Sequence, residues 1–368
     1  MDSYYYGEST RRGRKRSPLM LIVDGIMLVA SIIAFATMVL TLVTSYYDPS
    51  TSWLFVLLGL VTPAVYIVTT LFALYWVIRW RWFMAIMLLL PLFVGAPSIS
   101  RYIRIESSKS YSEPSRRGTV RLMSYNVKGF VGDDGQLSIT AMSEFIDEQR
   151  PDIICFQEFE SKRMKESVEP SSIQKFNRVK VGELAIYSRY KILDSSENLV
   201  HSYFDSGSAF WADIQIGSDT VRLYNIHLHS TAITGRDNDY ISNMEFMSDS
   251  LSNDKFRGML SRFRQTSIGR AAQADSIAHS IAQTPHRVVV CGDFNDTPNS
   301  YAYRKISSGL QDSFQEVGVG FSYTYRGFLN LLRIDYILVE EPTQVVKYEV
   351  ADSVLLSDHL PVVATLKF

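Results

Sequence analysis

Long apolar runs dominate the first quarter of the chain. Leu19 to Thr44 and Trp53 to Ile78 are almost continuously apolar, and each exceeds the roughly 20 residues that a helix needs to cross a bilayer. A third run, Phe83 to Ile99, lies near the lower length limit and contains Pro91 and Pro97, so it spans, kinks or enters the membrane without crossing it. The pattern predicts about three transmembrane helices.

From Thr119 onward the apolar runs are short and strand-like. They read VRLMSYNV, DIICFQEF, ELAIYSRY, FWADIQI, VRLYNIHLH, RVVVCGDF, RIDYILV and VVATLKF. Two stretches have helical spacing instead, Leu137 to Glu148 and Met259 to Gln283. Many strands with few helices between them favour an α/β fold of packed mixed sheets with helices on their outer faces, rather than a doubly wound parallel sheet.

These patterns divide the chain into four segments. We predict a basic cytoplasmic tail at 1–18, a transmembrane region at 19–100, a linker at 101–118 and a soluble domain at 119–368. The linker is polar and rich in serine, and it contains Pro114 and Gly118, which is typical of a flexible tether.

Basic residues flank the apolar runs unevenly. Five Lys and Arg residues lie between Arg11 and Arg16, the loop around Asp48 has none, and Arg79 and Arg81 separate the second run from the third. The positive-inside rule places the N-terminus and the second loop in the cytoplasm. If all three runs cross, the soluble domain lies outside the cytoplasm. A cleaved signal peptide does not fit, because the first run is long and a second follows at once.

Charge is also distributed unevenly, although the formal net charge is only −1. Residues 1–118 carry 12 basic and 6 acidic residues, which leaves 25 basic and 32 acidic residues for 119–368. A general nucleic-acid binder usually has a basic surface, so the acidic domain weighs against nucleic acid as the main partner. The two cysteines, Cys155 and Cys291, lie inside strand-like runs and are predicted to be buried core residues, not metal ligands.

Polar side chains with catalytic potential stand at or near the ends of the predicted strands, where a rigid scaffold can hold them in place. They are Asn126, Glu158, His227, His229, Asp293, Asn295, Asp335, Asp358 and His359. Each alone has a structural explanation as a turn former or a hydrogen-bonded core residue. Together they are rich in oxygen donors, include histidine and lack cysteine, which suits Mg²⁺ or Mn²⁺ better than structural zinc.

In chain order, the sequence words around these residues are SYNV, FQE, GELAIYSRY, NIHLH, GDFND, IDYIL and SDHLPV. They closely resemble the endonuclease/exonuclease/phosphatase superfamily, which includes pancreatic-type DNases, apurinic endonucleases, inositol polyphosphate phosphatases and neutral sphingomyelinases. The resemblance covers nearly all of residues 119–368. It implies a four-layer α/β sandwich, with two mixed sheets face to face and helices outside, and divalent-metal-dependent cleavage of a phosphate ester.

The resemblance also implies roles for single residues. Glu158 corresponds to the principal metal ligand, with Asn126 beside it and Asp358 completing the set around Mg²⁺ or Mn²⁺. A carboxylate with retained waters is how Mg²⁺ is usually held, and it leaves positions open for phosphate oxygens. Asp293 corresponds to the residue that orients or deprotonates the attacking water, and Asn295 binds the phosphoryl group or positions that aspartate.

Two histidines are implied to act at the phosphate. His359 corresponds to the family histidine that contacts the scissile phosphate, as an acid, a base or an electrostatic clamp, and Asp335 to the carboxylate that binds its far nitrogen. On the fifth strand the Asn-x-His-Leu pattern points to His227. His229 is the alternative, because alternate residues of a regular strand face the same side.

The substrate stays open at this level. The polar stretch from Thr231 to Arg262 is a lid, a substrate-reading surface or a solvated insertion, and Phe321, Tyr323, Tyr325 and Phe328 either touch substrate or pack at the rim. We expect a membrane-anchored phosphodiesterase or phosphatase, with a lipid headgroup or nucleic acid as substrate and no protein partner implied. The alternatives are a nuclease acting outside the cytoplasm and a catalytically silent scaffold.

Overall fold

The computed structural model describes residues 17–52, 54–105, 118–132, 135, 137–159, 170–200, 207–231, 252–327, 330–352 and 356–368, without the side chains of 252–256. The basic tail up to Arg16, most of the linker, residues 232–251 of the polar stretch and Phe328 lie outside the described residues. The chain forms two compact units. The helical unit comprises Met1–Val39 and Ala64–Val94, and the sheet unit comprises Leu40–Pro63 and Gly95–Phe368.

Four apolar helices account for the first part of the chain, namely α1 (Pro18–Val43), α2 (Leu54–Leu60), α3 (Thr62–Ile78) and α4 (Trp82–Val94). Among the described residues, one helical stretch is long and apolar enough to cross a membrane unbroken. It is Pro18–Tyr46, with a mean hydropathy of 2.6.

The prediction of about three transmembrane helices is therefore too high for the described residues. The run predicted from Trp53 to Ile78 is two helices, α2 and α3, bent by 70°, and it counts at most as one broken span. Pro63 has no N–H to continue the hydrogen bonds of α2, but it fits the first turn of a new helix, so α3 begins beside it. The third run forms α4, whose 13 residues extend about 20 Å, short of the hydrocarbon core.

The helical unit has a polar contact at one end and apolar packing along its length. Arg79 donates to both carboxylate oxygens of Asp24, at 2.9 and 2.7 Å, and Tyr75 donates to the same carboxylate at 2.6 Å. Trp76 donates to Ser31 at 2.8 Å. The buried apolar residues are Ala73, Trp76, Ala85 and Leu88. Asp24 is thus the partner of a structural ion pair.

The sheet unit contains short strands and five further helices among the described residues. The strands are β1 (Ile103–Arg104), β2 (Val120–Asn126), β3 (Ile153–Gln157), β4 (Asn177–Val181), β5 (Leu184–Ser188), β6 (Ile192–Ser195), β7 (Ser208–Ile216), β8 (Asp219–His227), β9 (Arg287–Asp293), β10 (Gln311–Asp312), β11 (Gly320–Phe321), β12 (Asp335–Val339), β13 (Gln344–Val350) and β14 (Val362–Lys367). The helices are α5 (Ala96–Ile99), α6 (Ile139–Gln149), α7 (Ser252–Gln283), α8 (Tyr301–Ile306) and α9 (Ser313–Val317).

Two six-stranded sheets organise these strands. The first has the order β10-β12-β9-β8-β7-β6 and the second the order β13-β14-β2-β3-β5-β4. β8 pairs in parallel with β9, and β2 with β3, while the remaining neighbours are antiparallel. Both sheets are therefore mixed, and β1 pairs separately with β11.

The two sheets pack face to face through their apolar inner surfaces. The core between them includes Cys155 and Ile186 from the second sheet and Leu223, Cys291 and Ile337 from the first. Helices α7 and α8 cover the outer face of the first sheet, and α6 covers the outer face of the second. The layers are helix, sheet, sheet, helix, and the predicted α/β fold with two mixed sheets is confirmed.

Candidate active site

The predicted site residues meet because the strands that carry them end at one edge. β8 and β9 run parallel, so His227 and Asp293 are register partners at their carboxyl ends. β12 runs antiparallel to β9, which brings its first residue, Asp335, opposite Asp293. In the second sheet Asn126 ends β2, and Glu158 directly follows the neighbouring β3.

Asp293 lies at the centre of this group, with 1% of its side chain exposed. Its Oδ2 lies 3.1 Å from the amide nitrogen of Asn126 and 3.2 Å from that of Asn295. The Nε2 atoms of His227 and His359 lie 3.7 and 3.6 Å from the same oxygen. Burial raises the pKa of Asp293 to about 6, and the positive histidines oppose this shift only in part. Four donors of the two sheets thus surround one carboxylate oxygen.

The backbone around Asp293 explains the GDFND word. Gly292 has φ 139°, and a Cβ there would collide with the carbonyl oxygen of Ile226, so only glycine fits the close approach of β8 to β9. Asn295 has φ 48°, its N–H donates to Asp293 Oδ1 at 2.7 Å, and its amide donates to Leu228 O at 3.0 Å. Asn295 therefore donates to both carboxylate oxygens of Asp293 and holds the side chain in place.

Each histidine of the site has a carboxylate on Nδ1. Asp335 lies 3.0 Å from Nδ1 of His359, and Glu183 lies 2.6 Å from Nδ1 of His227. Burial acts to lower both histidine pKa values, but the carboxylates outweigh it and raise the pKa of His359 to about 10 and that of His227 to about 9. Both side chains are therefore imidazolium at neutral pH, with Nε2 directed at Asp293.

The geometry distinguishes the two histidines of the NIHLH word. His227 is the last residue of β8, and its Nε2 lies 3.7 Å from Glu158 Oε1 and has no hydrogen-bond partner among the described residues. His229 lies beyond the end of the strand, where regular alternation no longer applies. Its backbone is tied to α7, because its N–H donates to Gln273 and its carbonyl accepts from Arg270. His227 is the one that joins the Asp293 cluster.

Glu158 and Asp358 occupy the open side of the site. Glu158 has φ 51° and a side chain that is 38% exposed, and it accepts from Asn126 at 3.0 Å. Both carboxylates line one cavity of about 150 Å³. Asp358 pairs with Lys128 at 2.7 Å; burial acts to raise its pKa, but the charges of His359 and Lys128 outweigh this and lower it.

The donor set fits a hard divalent cation. Glu158 presents an exposed carboxylate, Asp358 lines the same cavity, and oxygen donors of this kind suit Mg²⁺ or Mn²⁺. Asn126 directs its amide nitrogen at the carboxylates, and its oxygen accepts from the N–H of Lys128 at 3.1 Å. A second group that could hold a cation is buried, with the ligand atoms of Asp293, Asp335 and His359 within 4.8 Å of one another.

Comparison with known proteins places this site in a family. The model of the Endonuclease/Exonuclease/phosphatase family matches residues 123–359. The chain belongs to this family. The match covers more than half of the chain and includes every residue of the predicted site. Residues 24–102 match a domain of unknown function, and no curated protein matches the chain.

Several solved structures are similar to this chain over about two thirds of its length. An endonuclease/exonuclease/phosphatase from Bacteroides vulgatus is 19% identical, with a TM-score of 0.50, and the match covers 68% of this chain and 99% of that one. A humanized Danio rerio TDP2 is 17% identical over 68% of this chain and 100% of its own, with a TM-score of 0.47. The human Nocturnin catalytic domain, with bound sulfate, is 16% identical over 69% and 96%, with a TM-score of 0.48.

Family membership confirms two predictions from the sequence. The resemblance to the endonuclease/exonuclease/phosphatase superfamily is correct, and so is the enzyme class, because members of this family are metal-dependent hydrolases of phosphate esters. The roles of the single residues stay predictions that rest on the geometry above.

Two residues of this family member's site were not predicted from its sequence. Glu183 contacts His227, and Lys128 contacts Asp358. Glu183 lies in the GELAIYSRY word that carried the resemblance, and Lys128 follows Asn126 by two residues, so both had a positional signal. Both were missed because the resemblance assigned no role to either position, and neither residue type in a turn indicates a site on its own.

Proposed function

We propose that the chain is a membrane-anchored, Mg²⁺- or Mn²⁺-dependent phosphoesterase that hydrolyses a phosphodiester or phosphomonoester by in-line attack of an activated water. The observation that carries this proposal is the convergence of Asn126, Asn295, His227 and His359 on Oδ2 of Asp293, beside the exposed carboxylate of Glu158. A cluster with a purely structural role does not require an exposed carboxylate at a cavity beside an enclosed one.

The residues divide the chemistry between them. Glu158, with Asp358 in the same cavity lining, would hold the cation, which when bound would supply charge stabilisation to the phosphate oxygens. The water oxygen forms a new bond to phosphorus while the bond to the leaving oxygen breaks, and the water proton moves toward Oδ2 of Asp293. Asn295 and Asn126 keep that carboxylate in place.

The two imidazolium groups would stabilise charge at the phosphate. Asp335 and Glu183 hold Nδ1 of His359 and His227, so each Nε2–H stays directed into the site. Donors fixed before the substrate arrives need no reorganisation as charge develops in the transition state.

The test uses the full chain in detergent with bis(p-nitrophenyl) phosphate and added Mg²⁺ or Mn²⁺. We expect turnover that EDTA abolishes, and at least a hundredfold loss of kcat in Asp293→Ala and His359→Ala. Asp194→Ala, which removes an exposed carboxylate from β6, is the matched control and should retain full activity. Near-normal turnover in both site variants would contradict the roles of Asp293 and His359, and no turnover in the wild type would favour the silent scaffold.

The anchor in this proposal is α1, the helix that is long and apolar enough to span a bilayer. The ion pair between Asp24 and Arg79 brings the start of α1 beside the end of α3, so these helices run antiparallel within the helical unit. The basic tail precedes the same end. By the positive-inside rule this end is cytoplasmic, and an odd number of crossings would place the catalytic domain outside the cytoplasm.

A reporter fused after Phe368 tests this orientation. We expect alkaline phosphatase, which is active only outside the cytoplasm, to be active in the fusion, and a fluorescent protein that folds only in the cytoplasm to stay dark. The opposite pattern would reverse the orientation and leave the proposed chemistry unaffected.

A further inference from the structure

The sheet unit includes a segment that the sequence assigned to the membrane region. Residues Leu40–Pro63, here called the interhelical segment, belong to the same compact unit as the two sheets. Asn299, 1% exposed, holds the segment. Its amide nitrogen lies 3.1 Å from Thr41 O, 2.9 Å from Thr44 Oγ1 and 3.0 Å from Thr62 Oγ1. One buried amide therefore fixes both ends of the segment.

The middle of the segment is fixed as well. A Cβ on Gly59 would lie 3.2 Å from the carbonyl oxygen of Asn299, so the backbone of α2 passes against the loop that follows the GDFND word. The carbonyl of Gly59 accepts from Thr297 at 3.4 Å and from Tyr102 at 3.5 Å. The Arg304 guanidinium lies 3.9 Å above the ring of Tyr46. These contacts place the next residue, Leu60, at a defined position.

Leu60 lines the catalytic cavity. The lining of that cavity includes polar residues, among them Glu158, Asn295 and His359, and it also includes the apolar residues Leu60, Phe263 and Leu332. Leu60 is half-buried, so its side chain still has surface to offer a ligand. A cavity whose lining combines groups suited to a phosphate with apolar side chains matches a ligand that carries both a phosphate and an apolar group.

We infer that Leu60 is a specificity-determining residue, and that the site takes phosphate esters with an alkyl chain close to the phosphorus, the chemistry of phospholipid headgroup regions. The inference rests on the proposed function, because it assigns a substrate class to the same site. The acidic balance of residues 119–368 agrees with it, since a net acidic domain attracts polyanionic nucleic acid less than a basic one does. In the chain, Leu60 lies four residues before Ala64, where the helical unit resumes.

A series of p-nitrophenyl phosphodiesters with methyl, butyl, hexyl and octyl groups tests the inference on the full chain. All four esters release the same leaving group, p-nitrophenolate, and all are used below their critical micelle concentrations. The series therefore varies only the apolar contact. For the wild type we expect kcat/KM to rise with chain length, by up to about fourfold for each methylene that the apolar lining residues bury. Leu60→Gln should flatten this rise, so that kcat/KM falls far more for the octyl ester than for the methyl ester.

Leu193→Gln is the matched control, because Leu193 is an exposed leucine on β6. It should keep the wild-type slope. A second variant, Leu60→Ala, removes the apolar contact without adding a polar group and should give an intermediate slope. Melting temperatures of all variants show whether the fold is intact.

The outcomes separate the inference from the function on which it rests. Hydrolysis of every ester at one rate, or an unchanged slope in Leu60→Gln, overturns the alkyl-chain inference and leaves the phosphoesterase standing. Preference for thymidine 5′-p-nitrophenyl phosphate over the octyl ester also overturns it, in favour of a nuclease. No hydrolysis of any ester, by wild type, contradicts both.

Discussion

At the residue scale, the site is built from carboxylates that act through histidines. Glu183 and Asp335 each hold one imidazole by Nδ1, and both imidazoles turn Nε2 toward the enclosed oxygen of Asp293. A buried imidazole would ordinarily be neutral. The paired carboxylates reverse that preference and keep positive charge in a water-poor site, where charge acts most strongly on a phosphate.

Glu183→Gln tests whether a paired carboxylate keeps its histidine protonated, at a residue that was not predicted from the sequence. Glu183 helps to raise the pKa of His227 to about 9, so the wild-type histidine stays protonated up to that pH. With the charge of Glu183 removed, only Asp293 and Glu158 still oppose the effect of burial, so the pKa of His227 falls and the imidazolium is lost at a lower pH than in the wild type. We expect kcat to fall about tenfold at pH 8 and much less at pH 6, measured as pH–rate profiles.

Glu349→Gln is the control for that change. Glu349 is also a partly exposed carboxylate in an ion pair, with Arg121 and Lys347, but it lies on β13. It should leave the profile unchanged. If Glu183→Gln lowered kcat equally at every pH, Glu183 would be acting on the shape of the site and not on the charge of His227.

The chemistry-bearing residues were largely predictable from the sequence because they end strands. Asn126, Glu158, His227 and Asp293 each end or follow a strand, and register then brings them together. Asp358, predicted as a metal ligand, also pairs with Lys128, a contact across 230 positions of sequence that was not predicted. The position of a residue at a strand end predicts that it lies at the edge of the sheet. It does not predict which residue the long side chain of a lysine will contact.

At the element scale, the least expected feature is the interhelical segment. Hydropathy alone predicted one helix from Trp53 to Ile78, because apolar composition is the same whether a helix lies in lipid or packs on a protein. The run instead bends by 70° between α2 and α3, and α2 belongs to the sheet unit. The polar residues that hold it, Asn299 and Thr44, are single positions that no periodicity distinguishes.

Gly59→Val tests whether that segment packs as tightly as the structure shows. The added side chain would press on the carbonyl of Asn299, so we expect the free energy of unfolding to fall by about 1–3 kcal/mol, the usual effect of overpacking. Chemical denaturation of the full chain in detergent measures this.

Gly258→Val provides the comparison for Gly59→Val. Gly258 is also a helical glycine, in α7, but a Cβ there would meet nothing within 4 Å. Because valine has a better helix propensity than glycine, this variant should be neutral or slightly more stable. Equal stability of the two variants would contradict the close packing of α2 on the Asn299 loop.

At the scale of the whole molecule, the order of segments along the chain differs from their grouping in space. The sheet unit takes in Leu40–Pro63 and Gly95–Arg104, which precede the soluble domain that begins near Thr119 in the sequence. Strand β1 pairs with β11, and Tyr102 is 1% exposed. The layered fold could be predicted from short strand-like runs, but contacts made by two-residue strands are invisible to patterns of that length.

The contribution of the Gly95–Ile105 stretch can be measured by comparing fragments. Tyr102 is buried, its carbonyl accepts from Ser322 at 3.1 Å, and the carbonyl of Arg101 accepts from the fully buried Arg333 at 3.0 Å.

A fragment of residues 119–368 loses these contacts and leaves a buried guanidinium with one partner fewer. Loss of a buried aromatic costs about 3–5 kcal/mol, which for a domain of this size corresponds to roughly 10 °C. We therefore expect 95–368 to melt about 10 °C above 119–368. Residues 106–368 restore length without Tyr102 and should melt with the shorter fragment; if 106–368 instead matched 95–368, the added stability would come from the linker and not from these contacts.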